Sequence, residues 1–168
     1  MTVIPQKVAV VTGGLVGIGL AISQALLKSG LRVVIGTRRG GTAEARDVVQ
    51  RDLGPAASIY PLDVRDETSV TTFCEAVLRD IGEIDILVNS AGVTSHEMLT
   101  EQSLSSWRDV LDTNLTGPFL MMRGCLPGMK ARGWGRIVNI ASTAAHTAVA
   151  DHPAYCASKA GLLGLSRA

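Results

Sequence analysis

A glycine-rich turn lies between the first apolar run of the chain and its first helical segment, and it constrains the fold more than any other feature. The apolar run is Lys7–Thr12, and the turn after it carries Gly13, Gly17 and Gly19. Glycine lets a backbone turn tightly and approach a phosphate closely, and the N-terminus of the next helix offers free N–H groups. The pattern predicts a strand–turn–helix unit that binds a nucleotide, although such glycines also occur in purely structural turns.

The rest of the chain repeats this alternation of strand and helix. Runs rich in valine and isoleucine predict buried strands, and apolar residues at helical spacing predict the helices between them. The predicted strands are Lys7–Thr12, Arg32–Gly36, Ser58–Leu62, Ile84–Asn89 and Arg136–Ala141. We also expect a long helix over Ser103–Arg123 with a bend near Pro118, and a last helix that begins at Pro153. Strands that alternate with helices pair in parallel through right-handed crossovers.

Composition argues against several other classes of protein. The 168 residues carry a formal net charge of +1, so the charge balance favours neither nucleic acid nor an anionic membrane as a partner. No segment has the length of a membrane span, and residues 1–7 lack the apolar run of a signal peptide. The three cysteines, Cys74, Cys125 and Cys156, form no CxxC pair, so we expect reduced thiols in a cytoplasmic protein.

The end of the second predicted strand bears on which dinucleotide the turn would accept. A site for NAD usually places an acidic residue about 20 residues past the turn, where it holds the ribose 2′-hydroxyl. Here no Asp or Glu occurs between Gly19 and Glu44, and the strand leads into Thr37, Arg38 and Arg39. Guanidinium groups suit a 2′-phosphate in charge and geometry, so the sequence favours NADP(H) over NAD(H). The alternative is a pair of solvated loop charges.

A second group of polar residues lies near the other end of the chain. Tyr155 and Lys159 are four residues apart in a predicted helix, so their side chains share one face. A nearby ammonium favours the ionised form of a phenol, and such a tyrosine can give a proton to a ketone oxygen or take one from an alcohol. Ser142 ends the fifth predicted strand and can hold the same oxygen. Taken alone, a tyrosine and a lysine at this spacing are common on helix surfaces.

Together these motifs resemble those of the short-chain dehydrogenases/reductases, from about residue 7 to the end of the chain. The glycine turn is similar to the cofactor turn of that family. Asp63 and Val64, after the third strand, resemble its adenine-contacting segment. Asn89–Gly92 resembles its NNAG motif, with Ser90 in place of the second asparagine. The pattern is most similar to that of 3-oxoacyl-carrier-protein reductases and related ketone or alcohol dehydrogenases.

The resemblance implies a catalytic set of four residues: Asn114, Ser142, Tyr155 and Lys159. By this likeness Tyr155 is the acid or base, Lys159 assists it and binds the nicotinamide ribose, and Ser142 orients the carbonyl. Asn114 supports the proton relay through a water beside the lysine. The implied cofactor-binding residues are Thr12, Gly13, Gly17, Ile18, Gly19, Thr37, Arg38, Arg39, Asp63, Val64, Asn89, Ala91, Gly92, Tyr155 and Lys159.

The likeness also implies what the chain would still need. Members of the family continue past such a helix with a sixth strand, a segment against the nicotinamide, a mobile substrate lid and a seventh strand. The sequence therefore predicts a sheet that is truncated at its C-terminal edge, and an exposed parallel edge favours association. We expect a homo-oligomer if the protein is complete. A catalytically silent nucleotide-binding or interaction fragment is the second hypothesis for its function.

Other chemistries find less support in the sequence. Ser142, His146 and Asp151 could suggest a hydrolase triad, but the chain has no GxSxG elbow. His96, His146 and His152 lack the spacing of metal ligands, so no metal site is predicted. A methyltransferase also uses a glycine turn on such a sheet, but it needs no tyrosine–lysine pair after the fifth strand.

The sequence thus predicts one α/β domain over residues 1–168, with a Rossmann-like, doubly wound parallel sheet in the strand order 3-2-1-4-5. The predicted function is that of an NADP(H)-dependent oxidoreductase that interconverts a ketone and a secondary alcohol. Its predicted substrate is a small molecule or an acyl thioester, for example a 3-oxoacyl thioester.

Overall fold

The computed structural model describes residues 6–147 and 149–168, in which strands and helices alternate. The strands are β1 (Val8–Thr12), β2 (Arg32–Thr37), β3 (Ala57–Pro61), β4 (Ile84–Asn89) and β5 (Arg136–Asn139). The α-helices are α1 (Gly17–Lys28), α2 (Ala43–Asp52), α3 (Glu67–Asp80), α4 (Leu104–Leu111), α5 (Gly117–Ala131) and α6 (Pro153–Arg167). A π-turn (Asp112–Thr116) joins α4 to α5, and a 3-10 turn (Thr143–Ala145) follows β5. The segment 1–7, in which the sequence predicts no signal peptide, lies outside the described residues except for residues 6 and 7.

All five strands form one parallel sheet in the order β3-β2-β1-β4-β5, which confirms the predicted order. The central strand β1 is buried along its whole length. At its C-terminal end, Thr12 lies opposite Gly36 of β2 on one side and Asn89 of β4 on the other. The strand order reverses between β1 and β4, so the chain leaves these two strands in opposite directions. Ligands of open parallel sheets bind in the crevice at such a switch point.

The helices cover both faces of the sheet, because successive side chains of a strand point to opposite faces. Val10 packs on one side with Phe73 of α3 and Met121 of α5. Its neighbour Val11 packs on the other side with Val49 of α2. Burying a side chain of this kind stabilises the fold by about 1.5–3 kcal/mol. The two apolar layers therefore hold the loops at the C-terminal ends of the strands in fixed positions.

The long helix predicted over Ser103–Arg123 differs from expectation, because a π-turn interrupts it. The irregularity precedes Pro118 rather than lying at it, and the N–H of Gly117 donates to the carbonyl of Asp112, five residues back. Pro118 occupies the first turn of α5, where proline is tolerated, and it has no N–H to offer the carbonyl of Asn114. The irregularity near Pro118 thus takes the form of a π-turn centred on Asn114.

Strand β5 is shorter than the predicted segment Arg136–Ala141. The N–H of Ile140 still donates to the carbonyl of Asn89 at 3.0 Å, but the regular ladder ends at Asn139. Within the described ranges β5 pairs with β4 alone, and its Val138 is 46% exposed. Among the described helices, none combines the length and the apolar character that crossing a membrane requires.

Candidate active site

In the glycine turn between β1 and α1, close contacts leave no room for a side chain at Gly13 or Gly19. Gly13 has φ +69° and donates its N–H to the carbonyl of Gly36 at 2.8 Å. A Cβ on Gly13 would lie 3.0 Å from Cα of Ala91, and one on Gly19 would lie 2.5 Å from the carbonyl oxygen of Gly13. The first turn of α1 therefore abuts the end of β1, as a site for a pyrophosphate requires.

The start of α1 differs from the starts of the three helices that follow it. A side chain caps each of α2, α3 and α4: Thr42, Asp66 and Ser103, respectively. In contrast, Val16 supplies no cap to α1, and the first turn of α1 holds no acidic residue. Val16, Ile18 and Gly19 line a cavity of about 360 Å³ at this point. Uncapped N–H groups that face a cavity suit an anionic group such as a pyrophosphate.

The far end of this cavity is lined by residues that follow β2 and β3. Among them are Thr37, Arg38, Asp63 and Val64, each of which the sequence assigned to the cofactor. Arg39 does not line the cavity, although its side chain is also exposed. Thus Arg38 borders the cavity and Arg39 does not, and the assignment of both residues to the cofactor stays a prediction.

Arg65 lines the same cavity, and sequence reasoning missed it. Its guanidinium binds both carboxylate oxygens of Asp63, at 2.9 Å and 2.7 Å, and it also pairs with Asp109. The guanidinium of Arg65 holds the pKa of the Asp63 carboxyl below its ordinary value. In turn, the hydrogen bonds to Asp63 and Asp109 raise the pKa of Arg65. Asp63 and Arg65 are two residues apart, so their ion pair has a local signal in the sequence. The contact of Arg65 with Asp109 arises only in the folded chain.

Two of the predicted cofactor residues stabilise the loop after β4 instead of lining the cavity. The hydroxyl oxygen of buried Thr12 accepts the N–H groups of Ser90 and Ala91, at 3.1 Å and 3.0 Å. The Asn89 amide, also buried, donates to Oδ1 of Asn139 at 2.8 Å. The bonds of Thr12 fix the backbone of the motif so that Ala91 and Gly92 reach the cavity wall. A direct role for Thr12 or Asn89 at the cofactor stays a prediction.

Tyr155 and Lys159 line a second cavity of about 450 Å³ at the start of α6. The ammonium nitrogen of Lys159 lies 5.6 Å from the centre of the Tyr155 ring and donates to the carbonyl of Ile140 at 2.7 Å. Lys159 is only 6% exposed, and this burial lowers the pKa of its ammonium. The structure therefore brings the predicted tyrosine and lysine together on one cavity wall.

Asn114 lies behind this wall, in the π-turn, and is 1% exposed. Its Oδ1 accepts the N–H of Val93 at 2.9 Å, and its Nδ2 donates to the carbonyl of Val93 at 2.8 Å and to the hydroxyl of Ser158 at 3.1 Å. A Cβ on Gly92 would lie 3.3 Å from Oδ1 of Asn114 and 3.9 Å from Nζ of Lys159. Asn114 thus ties the loop after β4 to α6 near the position of the lysine.

Ser142 begins the 3-10 turn that packs against α6. Its hydroxyl oxygen accepts the N–H of Ala144 at 3.2 Å, which leaves its own hydrogen available for donation. Ser142 is half-buried and does not line the cavity that holds Tyr155. Its role as a carbonyl-orienting group stays a prediction.

The alternative triad of Ser142, His146 and Asp151 gains no support. The carboxylate of Asp151 pairs with His152 at 2.6 Å and with His96 at 3.4 Å, and its pKa is lowered, mainly by the bond to His152. The hydroxyl of Ser142 caps its own turn instead of meeting a histidine. These residues therefore do not form a nucleophile–base pair in the described part of the chain.

Comparison with known proteins agrees with this arrangement. A profile of the short chain dehydrogenase family matches residues 7–168. An uncharacterised oxidoreductase of Thermotoga maritima is 41% identical over 160 residues, which are 95% of this chain and 62% of that protein. A 3-oxoacyl-[acyl-carrier-protein] reductase of Haemophilus influenzae is 37% identical over 96% of this chain and 65% of its own. The solved structure of an actinorhodin polyketide ketoreductase variant with NADPH has a TM-score of 0.90 at 39% identity, over 96% of this chain and 63% of that one.

The chain thus spans less than two thirds of the length of each of these three relatives. The family profile nevertheless covers nearly all of it, and the structural match extends over the same residues. The resemblance drawn from the glycine turn and the tyrosine–lysine pair is confirmed, and the chain belongs to the short chain dehydrogenase family.

Proposed function

We propose that the protein is an NADP(H)-dependent oxidoreductase that interconverts a ketone and a secondary alcohol. One observation carries the proposal: the cavity at the glycine turn and the cavity at Tyr155 share Ile18, Ser90, Gly92 and Val93 in their walls. The two cavities are therefore adjacent, and together they reach from Arg38 to the tyrosine; we treat them as one cleft. Such a cleft suits a dinucleotide that lies with its adenosine end at Arg38 and its reactive ring beside Tyr155.

The nicotinamide, when bound, supplies or accepts a hydride at the substrate carbon. The protein's own part is to move the proton. Tyr155 gives its hydroxyl proton to the carbonyl oxygen during reduction and takes a proton from the alcohol during oxidation. Lys159, whose ammonium nitrogen lies 5.6 Å from the centre of the Tyr155 ring, assists this proton transfer in both directions. Its bond to Ile140 holds the ammonium at the cavity wall.

Two further residues support this proton transfer. Ser142 donates its free hydroxyl hydrogen to the substrate oxygen and so orients the carbonyl toward Tyr155. Asn114 acts through other groups, because its amide is engaged by Val93 and Ser158. We assign it the role of holding the loop after β4 at the distance from α6 that Lys159 needs, in addition to the water-mediated relay that the resemblance implies.

The preference for NADP(H) over NAD(H) rests on Arg38, which lines the adenosine end of the cleft. A charge-assisted hydrogen bond contributes about 1.5–3 kcal/mol, which is about a 10-fold to 100-fold change in affinity. Arg38→Ala should therefore weaken NADPH binding by that factor and leave NADH binding nearly unchanged. Arg39→Ala is the matched control, since Arg39 lies outside the cavity wall and should have the smaller effect. Equal affinities of the wild type for both cofactors would contradict the preference.

The substrate class follows from the relatives and is part of the proposal. They include a 3-oxoacyl-[acyl-carrier-protein] reductase and a polyketide ketoreductase, so we take a 3-oxoacyl thioester as the first substrate to test. The test is NADPH oxidation by the purified protein with 3-oxoacyl thioesters and simple ketones. Tyr155→Phe should abolish turnover and spare NADPH binding, because only the proton path is lost.

The matched control is Tyr60→Phe, which removes a hydroxyl that is bonded to Asp80 and does not line the cavity of Tyr155. If Tyr155→Phe kept most of the wild-type rate, the assignment of the proton donor would be wrong. Binding of NADPH without turnover of any ketone would favour the second hypothesis, a catalytically silent nucleotide-binding fragment of such an enzyme.

A further inference from the structure

Three side chains that the proposed function does not use meet at the mouth of the tyrosine cavity. His96 comes from the loop after β4, and Asp151 and His152 come from the loop that leads into α6. His96 and His152 line the same cavity as Tyr155. We propose that His96, Asp151 and His152 form a binding site for a divalent transition-metal ion.

The geometry is that of a compact ligand set. One ligand atom from each of the three residues lies within 4.8 Å of the other two. Nδ1 of His152 is 2.6 Å from one carboxylate oxygen of Asp151, and Nδ1 of His96 is 3.4 Å from the other. The two imidazole rings are 4.2 Å apart between centres. Small adjustments of these side chains would direct three donor atoms at one ion at the distances of about 2.0–2.2 Å that zinc requires.

The backbone holds the three residues together before any ion binds. The N–H of Glu97 donates to the carbonyl of Asp151 at 3.0 Å, which joins the two loops directly beside the proposed ligands. The carbonyl of His152 accepts the N–H of Cys156 in the first turn of α6 at 2.9 Å. A site that is preorganised in this way loses less conformational freedom when it binds.

The two histidine side chains differ in how much of each is exposed to solvent. His152 is 16% exposed, and its ring makes an edge contact with Tyr155 at 6.2 Å between centres. His96 is 68% exposed, so rotation of its ring toward an ion disturbs little beyond its contacts with His152 and Asp151. This difference allows an ion to enter from solvent while two of the three ligands stay in place.

The donor types select the class of metal. Imidazole nitrogens suit zinc, nickel, cobalt and copper, whereas magnesium and calcium prefer oxygen ligands. Two histidines and one carboxylate therefore favour a borderline transition metal. Three protein ligands leave at least one position for water, which is an open site rather than a closed structural one. The inference does not rest on the proposed oxidoreductase activity, because the ligands and the assay are separate from turnover.

The test is a titration of the purified protein with Zn²⁺ by calorimetry and with Co²⁺ by visible absorption. We expect one ion per chain at this site, and His96→Gln and Asp151→Asn should each weaken it at least 10-fold. The matched control is His146→Gln, because His146 is also an exposed loop histidine but is not in the cluster. His96→Cys should restore binding and add a thiolate absorption band with Co²⁺.

Unchanged thermal unfolding of the variants without metal would show that they fold, and the exposure of His96 makes this the expected result. The inference is overturned if neither ion binds the wild type, or if His96→Gln and Asp151→Asn bind as tightly as it does. A loss of affinity in His146→Gln equal to that in His96→Gln would also overturn it.

Discussion

Replacing Asn114 by alanine tests how strongly the π-turn is coupled to the loop after β4. The Asn114 amide satisfies both backbone polar groups of Val93, at 2.9 Å and 2.8 Å, and also donates to Ser158. Alanine removes all three bonds at a position that is 1% exposed. Val93 would then keep an N–H and a carbonyl without their partners, in the wall of the proposed cofactor cleft.

The cost can be worked from these contacts. A buried polar group that loses its partner costs about 1–3 kcal/mol. Val93 is only half-buried, so the lower part of that range applies to each of its two groups, and the total is about 2–4 kcal/mol. For a protein of about 150–250 residues, each kcal/mol lowers Tm by about 2–4 °C. We therefore expect Asn114→Ala to unfold about 4–16 °C below the wild type.

The assay is thermal unfolding followed by circular dichroism, with Thr116→Ala as the control. Thr116 lies in the same π-turn, and its hydroxyl makes only a 3.4 Å contact with Asp112. Its replacement should lower Tm by less than about 2 °C. If Asn114→Ala and Thr116→Ala unfolded at the same temperature, the bonds to Val93 would contribute nothing, and the positioning role assigned to Asn114 would be refuted.

Two further predictions concern α6 and the edge of the sheet. Burial lowers the pKa of Lys159, so between that pKa and the ordinary value of 10.5 the unfolded chain binds more protons than the folded one. The free energy of unfolding of the wild type, relative to that of Lys159→Met, should therefore rise with pH in this window. Denaturant titrations in which this difference stayed flat or fell would contradict the burial argument. Residues 1–168 should associate in solution, because among the described residues β5 pairs on one side only and Val138 is exposed. Val138→Lys should reduce this association in sedimentation experiments, whereas a monomeric wild type would contradict the prediction.

The sequence predicted those parts of the site that depend on local patterns. The glycine turn is encoded within a few residues, because Gly13 needs a positive φ and Gly19 needs close approach. Tyr155 and Lys159 share a face because they are one helical turn apart. The strand order was predicted correctly as well, since alternating strands and helices leave few topologies open.

The parts that sequence reasoning missed depend on residues that meet only after folding. Arg65 joins Asp63, which is two positions away, to Asp109, which is on α4. His96 and Asp151 are 55 residues apart and meet only because the loops after β4 and β5 share one end of the sheet. Spacing in the sequence carries no signal for such contacts, so the spacing of the histidines predicted no shared site.

The π-turn between α4 and α5 changes the rotation of α5 about the helix axis relative to α4. Val110 and Met121 are eleven residues apart, so in an unbroken α-helix they would lie on almost the same face, because about 3.6 residues complete each turn. Five residues in π geometry lag an α-helix by about a quarter of a turn. The two halves of this rod can therefore bury different faces, and α4 packs against α6 while α5 packs against β4 and α3.

Deleting one residue from Asp112–Thr116 would restore a continuous α-helix and rotate α5 about its axis relative to α4. The stripe formed by Met121, Cys125 and Met129, which is now buried, would then turn partly away from the sheet. In this segment the number of residues matters as well as their chemistry. A change of length here would separate the core packing of α5 from the placement of Asn114.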